Sequence, residues 1–420
     1  MDRIFSAADI LLPKKTVDMT KWSVVACDQY TSEPEYWEET ERIVGDDDSA
    51  LRLILPEIYL EDNPDERIDH IHSAMEKYLS DDIFDEYKDA LIYTERVTSD
   101  GIRAGIIGKI DLEGYDYSKG STSPVRATEA TVPERIPPRI KVRRGAPLES
   151  PHIMILIDDA AGKVIEPLSA KKESMKKLYD FDLMQNGGHI TGYLMDKADA
   201  DSVLEALSAL GDKEVFNKRY GLDGDVPPLV YAMGDGNHSL ATAKAYYEEL
   251  KKNSGGKDMS EHPARYALAE IVDLHSPAIR FEAIHRIVTG VDADKLMDEM
   301  RSALSLSESG EGQYFTEIHG GVKKTYYINT PSSNLSVGSV QDFIDGYLER
   351  NGGKVDYIHG ADVAEGLAAK ENSIAFLLPD MKKEELFPTV IKDGSLPRKT
   401  FSMGHAYDKR YYTECRRISG

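Results

Sequence analysis

The spacing of apolar positions along the chain predicts alternating helices and strands. Apolar residues recur every three or four positions over 239–252, which is typical of a helix with one buried face. The apolar runs 153–157 and 374–378 are far shorter than a bilayer-spanning helix, and they predict buried strands. Further helices are predicted over 34–44, 63–79, 199–210, 293–304, 340–350, 361–370 and 382–391. Further strands are predicted over 22–26, 51–55, 229–233, 266–272, 313–318, 323–329 and, as described next, in a hairpin.

The hairpin signal lies between residues 90 and 112. Two apolar runs, 90–98 and 102–112, flank an Asp-Gly pair, which favours a tight antiparallel turn. Together the elements predict an α+β fold with mixed or antiparallel sheets and flanking helices. At about 150 residues per domain, a chain of 420 residues makes two or three domains or one large one. We expect regions 1–200 and 201–420, with one intertwined domain as the alternative.

Charge limits the partners. The chain has 51 Lys and Arg against 74 Asp and Glu, a net charge of −23. Such a surface repels polyanions, so we expect neither nucleic acid nor an anionic membrane as a partner. Cys27 and Cys415 are too few for a disulfide scaffold, and the residues from Met1 to Phe5 do not begin a signal peptide. These features predict a cytoplasmic protein, and they leave the oligomeric state open, with a homo-oligomer among the options.

The clearest candidate for chemistry is a turn between a predicted strand and a predicted helix. A turn of this kind offers backbone N–H groups and the positive end of a helix to an anion. Two glycines would let a ligand approach the backbone closely, and a carboxylate, an amide and an imidazole follow them. The alternative is a helix cap and an ordinary turn without a ligand. The segment is Gly234-Asp235-Gly236-Asn237-His238-Ser239.

Positive charge collects in the proline-rich segment 114–151. Residues 134–144 carry five cations against one acid, a net charge of +4. If 139–143 were extended, Arg139, Lys141 and Arg143 would share one face. Together with Arg135 they could clamp an anion, because guanidinium groups suit phosphate oxygens. An ion-paired basic surface is the alternative. Its expected partners are Asp111, Glu113 and Asp116.

Two later segments also carry candidate residues. His285 and Arg286 lie between apolar residues, as a functional pair or as a core histidine beside a surface arginine. Lys399 follows Pro397-Arg398 and could supply a point charge to a phosphate, with an ordinary basic tail as the alternative.

These segments resemble, in order and spacing, the DUF1015 family. The family's central motif is close to Ala-Asp-Gly-His-His-Arg, and its tail is close to Met-Pro-Lys-Lys-Ser-Thr. Asp28 resembles the aspartate of the family's early Pro-Tyr-Asp-Val, while Glu129 and Thr131 resemble its His-Glu-x-Thr. The chain departs from these patterns at three positions. Asn237 and Thr128 stand where His is usual, and Ser239 stands where Arg is usual.

The resemblance implies a ParB/sulfiredoxin-like nucleotide-binding core with large elaborations. Proteins with that core include kinases of free serine. The resemblance does not imply sulfiredoxin chemistry, because the 234–239 turn contains no cysteine.

The leading hypothesis is therefore a nucleotide-dependent phosphotransferase that acts on a small metabolite such as serine. Its alternatives are a phosphatase acting on a small phosphometabolite and a non-catalytic regulatory protein that binds a nucleotide or metabolite. Phosphoryl transfer requires cationic stabilisation and a group to receive the acceptor's proton. The expected catalytic residues are Asp28, Asp235, His238 and His285. Phosphate or nucleotide contacts are expected from Gly234, Gly236, Asn237, Ser239, Glu129, Arg135, Arg139, Arg286 and Lys399. The expected cofactors are Mg²⁺, held by Asp28 and Asp235, and a nucleoside di- or triphosphate, and the expected partner is a small anionic metabolite or nucleotide.

Overall fold

A computed structural model of the chain describes residues 3–118 and 120–419. Met1 and Asp2, which belong to the segment considered above as a signal peptide, lie outside the described residues. The first strands of this described part are β1 (Phe5–Ser6), β2 (Ala8–Pro13), β3 (Val24–Val25), β4 (Phe84–Ala90), β5 (Ile92–Thr98), β6 (Gly101–Asp111), β7 (Tyr115–Asp116), β8 (Val125–Arg126), β9 (Leu148–Glu149), β10 (Met154–Ile157) and β11 (Lys176–Asp182). They are followed by β12 (His189–Leu194), β13 (Tyr231–Asp235), β14 (Tyr266–Asp273), β15 (Phe281–Thr289), β16 (Tyr314–His319), β17 (Val322–Tyr327), β18 (Lys354–His359), β19 (Ser373–Leu377), β20 (Phe401–Met403), β21 (Tyr411–Tyr412) and β22 (Arg416–Arg417).

The α-helices of the same residues are α1 (Met19–Trp22), α2 (Pro34–Val44), α3 (Pro64–Ser80), α4 (Ile136–Arg143), α5 (Glu166–Ser169), α6 (Lys197–Leu210), α7 (Lys213–Tyr220), α8 (Asn237–Asn253), α9 (Ala293–Ala303), α10 (Ser336–Asn351), α11 (Ala361–Ala368) and α12 (Lys383–Asp393). None of these helices is both long enough and apolar enough to cross a bilayer.

The contacts divide the chain into two compact units. Unit 1 contains the chain up to Ala127, Thr131–Ile279 and the chain from Gly404 onward, and unit 2 contains Thr128–Ala130 and Arg280–Met403. This division differs from the expected halves 1–200 and 201–420, because strands from both halves join the same sheet of unit 1.

Unit 1 is built on a ten-stranded mixed sheet. Its strands follow the order β11-β12-β5-β6-β14-β10-β13-β8-β7, and β1 pairs with β6. Three pairs are parallel, β10 with β14, β13 with β8 and β7 with β8, and the others are antiparallel. Every residue of β10 is buried, as the apolar run predicts. A strand buried on both faces reads as a continuous apolar run, which is why its sequence does not alternate.

Unit 2 has a six-stranded antiparallel sheet in the order β17-β16-β19-β15-β18, with β20 paired to the start of β15. Ile287, Ile318 and Ala375 of this sheet pack with Ala364 and Ala368 of α11 in one apolar cluster. The mixed α and β architecture predicted from the sequence is confirmed, as is the hairpin, which is formed by β5 and β6.

Two local predictions are wrong. Residues 51–55 do not form a strand, because the Ser49 side chain accepts a hydrogen bond from Leu51 N at 3.2 Å and begins a 3₁₀ helix over Ala50–Leu53. Residues 139–143 are not extended, because they belong to α4. Pro137 and Pro138 lie in the first turn of that helix, where a missing N–H leaves no helical bond unmade.

A buried arginine attaches the segment from Gly404 onward, the C-terminal segment of unit 1, to the rest of that unit. Arg410 is 3% exposed, and its Nε lies 3.1 Å from Glu270 of β14 and its Nη2 lies 2.7 Å from Glu414. Its Nη1 donates to the carbonyl oxygen of Pro151. Burial lowers the pKa of Arg410, but the charges of Glu414 and Glu270 more than offset burial and raise it, so the guanidinium stays charged.

We expect Arg410→Ala to destabilise the protein by about 3–5 kcal/mol, because it leaves two buried carboxyl groups without their cation. Urea unfolding followed by circular dichroism measures this loss. The exposed Arg417 is the matched control, and Arg417→Ala should change the free energy of unfolding by less than about 0.5 kcal/mol. Equal losses in the two variants would contradict the role given to Arg410.

Candidate functional site

The turn between β13 and α8 brings the backbone close to a neighbouring strand. Gly236 lies between Asp235 and the first residue of α8 and has a φ of 73°. A Cβ added there would lie 3.0 Å from Ile153 Cα and 3.2 Å from His152 O. Only glycine combines this left-handed conformation with so close an approach. The turn therefore holds the N-terminus of the 17-residue helix α8 against residues 152 and 153.

Asp235 of this turn pairs with a lysine of the C-terminal segment. Its Oδ1 accepts a hydrogen bond from Gly236 N at 2.9 Å, and its Oδ2 lies 3.5 Å from Lys409 Nζ. Both side chains are mostly buried, 14% and 13% exposed. Charges this well shielded from water interact more strongly than surface pairs.

A second ion pair joins Asp28 and His152. Oδ2 of Asp28 lies 3.4 Å from Nε2 of His152, and Nδ1 of His152 is hydrogen-bonded to Tyr412 Oη at 2.7 Å. Tyr412 Oη also accepts a hydrogen bond from Cys27 N at 3.1 Å. The tyrosine therefore fixes the imidazole and the backbone that leads into Asp28 with the same oxygen.

One pair of short strands brings the two ion pairs close together. β21 pairs with β3 in antiparallel fashion, and Ala26 N donates to Arg410 O at 2.9 Å. Asp28 follows β3 and Lys409 precedes β21, so both residues lie at the same end of this ribbon.

The charges of the two pairs act on one another. Burial raises the pKa of Asp28, but the charge of His152, hydrogen bonds from His152 and Gln29, and the charge of Lys409 outweigh burial, and the net pKa lies well below its usual range. Burial lowers the pKa of His152. The charge and hydrogen bond of Asp28, and then the charge of Asp235, outweigh burial, so the net pKa is above the ordinary 6.5. The site therefore places two carboxylates beside a lysine and a histidine whose charged form they favour.

A cavity of about 140 Å³ opens beside this group. Asp28, His152, Tyr412, and His238 and Ser239 from the first turn of α8 are among the residues that line it. The cavity therefore joins Asp28 to the helix N-terminus predicted to hold phosphate.

The arginine-rich segment lines the same cavity as a helix, and four of its cations form ion pairs. Arg139 and Arg143 lie one helical turn apart on α4 and both line the cavity. Arg135 is exposed at the start of α4, and its carbonyl oxygen accepts a hydrogen bond from Arg139 Nη1 at 2.5 Å. The observed ion pairs are Arg139–Glu57, Lys141–Asp65, Arg143–Glu149 and Arg144–Glu249.

The partners expected for these cations are wrong. Asp111 instead pairs with Arg265 at 2.5 Å, and Glu113 with Lys251 at 2.8 Å. Asp116 accepts a hydrogen bond from Ser118 N at 2.8 Å.

Three of the predicted residues are brought together within unit 2. The Arg286 guanidinium donates to the carbonyl oxygens of Arg398 at 2.8 Å and Lys399 at 2.9 Å, and to Gln341 Oε1 at 3.0 Å. Glu129 forms a bridge with Leu396 in the same stretch. Arg286 is fully buried, so the alternative of a surface arginine is wrong. Lys399 is exposed, with a φ of 53°.

His285, also in unit 2, is 9% exposed, and its Nδ1 accepts a hydrogen bond from Leu378 N at 3.2 Å. Burial lowers its pKa below the ordinary value. These are the properties of a neutral core histidine, the alternative considered for this position.

The structure thus groups the predicted residues in two sets. Asp28, Arg139 and the 234–239 turn lie together in unit 1, where Asn237 Nδ2 donates to Thr131 Oγ1 at 3.3 Å and a Cβ on Gly234 would lie 3.0 Å from Leu156 Cγ. Glu129, His285, Arg286 and Lys399 belong to unit 2.

Sequence reasoning missed His152, Lys409 and Tyr412 as site residues. The only local signal for His152 is a polar residue directly before the buried run 153–157. Lys409 stood in what the sequence allowed to be an ordinary basic tail.

Comparison with known proteins identifies the family. The family model described as "Protein of unknown function (DUF1015)" matches residues 10–350. The chain belongs to the DUF1015 family. No curated protein matches this DUF1015 chain.

Several solved structures are similar to the chain at low identity. SbnI with a C-terminal truncation from Staphylococcus aureus is 10% identical, with a TM-score of 0.34 over 75% of this chain and 83% of that one. A conserved hypothetical protein from Pyrococcus furiosus is 12% identical, with a TM-score of 0.36 over 73% and 93%. A free serine kinase in complex with AMP is 13% identical, with a TM-score of 0.38 over 73% and 90%. At these values the similarities assign no residue role to the DUF1015 chain.

We expect Gly236→Ala to destabilise the protein more than the same substitution at a glycine that has a left-handed φ but no close neighbour. That conformation costs a non-glycine residue about 1–2 kcal/mol, and at Gly236 the contact with Ile153 Cα adds to it. Gly221, with a φ of 57° and open space around its Cβ position, is the matched control. Urea unfolding of Gly236→Ala and Gly221→Ala compares the two costs. Equal costs would show that the close approach to residue 153 is not tight.

We expect His152 to titrate above pH 6.5, and Asp28→Asn to lower its pKa. Asp28 contributes stability above its unfolded pKa of about 3.9, which is lost as pH falls through its lower folded value. His152 contributes stability below its unfolded pKa, which is lost as pH rises through its raised folded value. NMR titration of the histidine ring protons measures the shift. His189, paired with Asp180 and Asp182, serves as the reference and should not move. A His152 pKa unaffected by Asp28→Asn would rule out the ion pair.

Proposed function

We propose that this DUF1015 chain transfers a phosphoryl group from a nucleoside di- or triphosphate to the hydroxyl group of a small metabolite, with serine as the simplest acceptor. The observation that carries the proposal is the meeting of two ion pairs, Asp28–His152 and Asp235–Lys409, beside a cavity at the N-terminus of α8. Acidic and basic side chains beside a helix N-terminus can hold an anion and orient a hydroxyl group at the same place.

The phosphate groups would bind at the 234–239 turn. The first N–H groups of a helix have no partners within it, and the helix dipole favours a negative charge there. Gly236 lets the phosphate approach the backbone, and Lys409 supplies a positive charge within the same group. Lys409 remains buried with Asp235, which holds its ammonium group in place before a ligand arrives.

The transfer forms one bond and breaks one. The acceptor oxygen bonds to the terminal phosphorus while the bond from that phosphorus to the bridging oxygen breaks, and the nucleotide leaves one phosphate shorter. The hydroxyl proton passes to the Asp28 carboxylate late in the step, when the forming bond has made it acidic. Lys409 and the His152 imidazolium stabilise the charge on the transferring group, and His238 and Ser239 contact it from α8.

Mg²⁺ fits this site only together with a phosphate ligand. Within the described residues 3–118 and 120–419 no three His, Cys, Asp or Glu side chains are grouped as metal ligands. Mg²⁺ is commonly held by one or two carboxylates, by phosphate oxygens and by water. Asp28 and Asp235 would hold it, and it would neutralise phosphate charge when bound.

The residues of unit 2 have separate proposed roles. Arg286 and Glu129 would position the 396–399 turn, since most Arg286 donors are already used. Within unit 2, Lys399 would contact a bound phosphate. The Nδ1 of His285 already accepts a hydrogen bond from Leu378 N, so its other ring nitrogen would act there. A ParB/sulfiredoxin-like nucleotide-binding core is part of the same proposal.

The test is an assay of the full chain with Mg²⁺, serine, and ADP, ATP or CTP in turn, with phosphoserine as a separate substrate. We expect a phosphorylated acceptor detected by ³¹P NMR. Asp28→Asn should lower kcat by about 10²-fold or more, and Lys409→Met by about 10²–10³-fold. Lys14→Met removes a half-buried lysine that pairs with Asp82 and should leave kcat unchanged.

Other outcomes of this assay identify other functions. Free phosphate released from phosphoserine would indicate a phosphatase, and nucleotide binding without turnover would indicate a regulatory protein. The proposal fails if no nucleotide or phosphate binds, or if Lys14→Met and Lys409→Met lose the same activity.

A further inference from the structure

The cavity beside Asp28 has a largely apolar wall. Its volume is about 140 Å³, and apolar side chains from residues 53–55, α3, α4 and β9 line it next to the polar residues already described. Five of those used here are buried and one is half-buried. They are Leu53, Ile54, Leu55, Met75, Val142 and Leu148.

The carboxyl and guanidinium groups of the lining, together with His152, are paired with one another. Glu57 pairs with Arg139, Glu149 with Arg143 at 2.5 Å, and Asp28 with His152 at 3.4 Å. A charged ligand group placed among these paired side chains would have to break one of the pairs and leave a buried charge uncompensated. An uncharged group leaves every pair intact. The lining therefore selects against charge in the part of the ligand that it encloses.

The volume limits the size of that part. An apolar cavity of roughly 150 Å³ accepts benzene, so this one accepts a group the size of a six-membered ring. A nucleoside is too large for it. The side chain of serine, with one methylene, leaves most of the apolar wall uncovered, whereas each further buried methylene improves binding roughly fourfold.

We propose that the molecule bound in this cavity is a small hydroxy compound with an uncharged branched-aliphatic or aromatic body about the size of a six-membered ring. Its body lies against Leu55, Met75 and Val142, and its hydroxyl group is directed to Asp28. Its role as a phosphoryl acceptor rests on the proposed function, but its binding does not. The inference makes the acceptor larger and more apolar than serine.

The test is direct binding to the full chain without nucleotide, by isothermal titration and saturation-transfer NMR. The probes are ethanol, 3-methylbutanol, benzyl alcohol, serine and benzoate. Affinity should rise roughly fourfold for each methylene that is added and buried from ethanol to 3-methylbutanol. Benzyl alcohol should bind, and benzoate, with the same ring and a charge, should bind roughly tenfold more weakly or worse.

Val142→Phe fills the cavity from α4 and should weaken benzyl alcohol binding by roughly tenfold or more. Val215→Phe places the same ring on α7 at an exposed position and should leave binding unchanged. If Val142→Phe does not reach the wild-type unfolding midpoint, Val142→Ala replaces it. That variant enlarges the cavity and should shift preference toward a larger ring.

The outcomes separate this inference from the proposed function. Serine binding without binding of the ring-bearing or branched alcohols overturns the inference, even if phosphoserine is formed from a nucleotide. Wild-type affinity for benzyl alcohol in Val142→Phe overturns it as well. Binding of benzyl alcohol that Val142→Phe abolishes supports it, even if no phosphoryl transfer occurs and the proposed function fails.

Discussion

The geometry of the candidate site depends on the buried guanidinium of Arg410. It pairs with Glu270 on the central sheet and donates to the carbonyl oxygen of Pro151. The residue before it in sequence is Lys409, and the residue after Pro151 is His152, so one side chain fixes the backbone on both sides of the site. A charge buried so completely tolerates little displacement, because every partner it loses leaves it uncompensated. The position of the lysine against the imidazole is therefore set by electrostatics in the core.

The charge of the molecule and the charge of the site differ for a related reason. The chain carries a net charge of −23, yet the acids and bases of the candidate site are paired with one another. Buried charges must be compensated where they lie, whereas surface acids are stabilised by water. The acidic excess is thus a property of the surface, and it says little about what the interior can bind. A small anion at the helix N-terminus and an apolar group in the cavity are both compatible with it.

Local patterns predicted the part of the site that is local in sequence. The turn at Asp235 was predictable because a strand, two glycines and an amphipathic helix follow one another within a few residues. Asp28 was found only through the family resemblance, and Lys409 was not found, because the pairing of β21 with β3 joins segments almost 400 residues apart. Spacing carries no information on such a contact.

The error at α4 has a physical cause of the same kind. Over the five residues 139–143, alternation of cations and apolar side chains fits a strand as well as a helix. Pro137 and Pro138 favour the helix, because proline is well suited to a first helical turn. The fold class was easier, since it depends on many elements whose periodicities are independent of one another.

The order of the segments along the chain has a consequence for how the protein is made. Unit 1 begins before unit 2 and is completed only by residues that follow Met403. On the ribosome, the sheet of unit 1 can form after residue 279 has emerged, yet Lys409, Arg410 and Tyr412 arrive only after all of unit 2, roughly 6–25 s later at ordinary elongation rates. During that interval Glu270 lacks the cation that pairs with it in the complete chain. The nascent chain thus has the sheet of unit 1 before it has the site, and the segment from Gly404 onward joins the two.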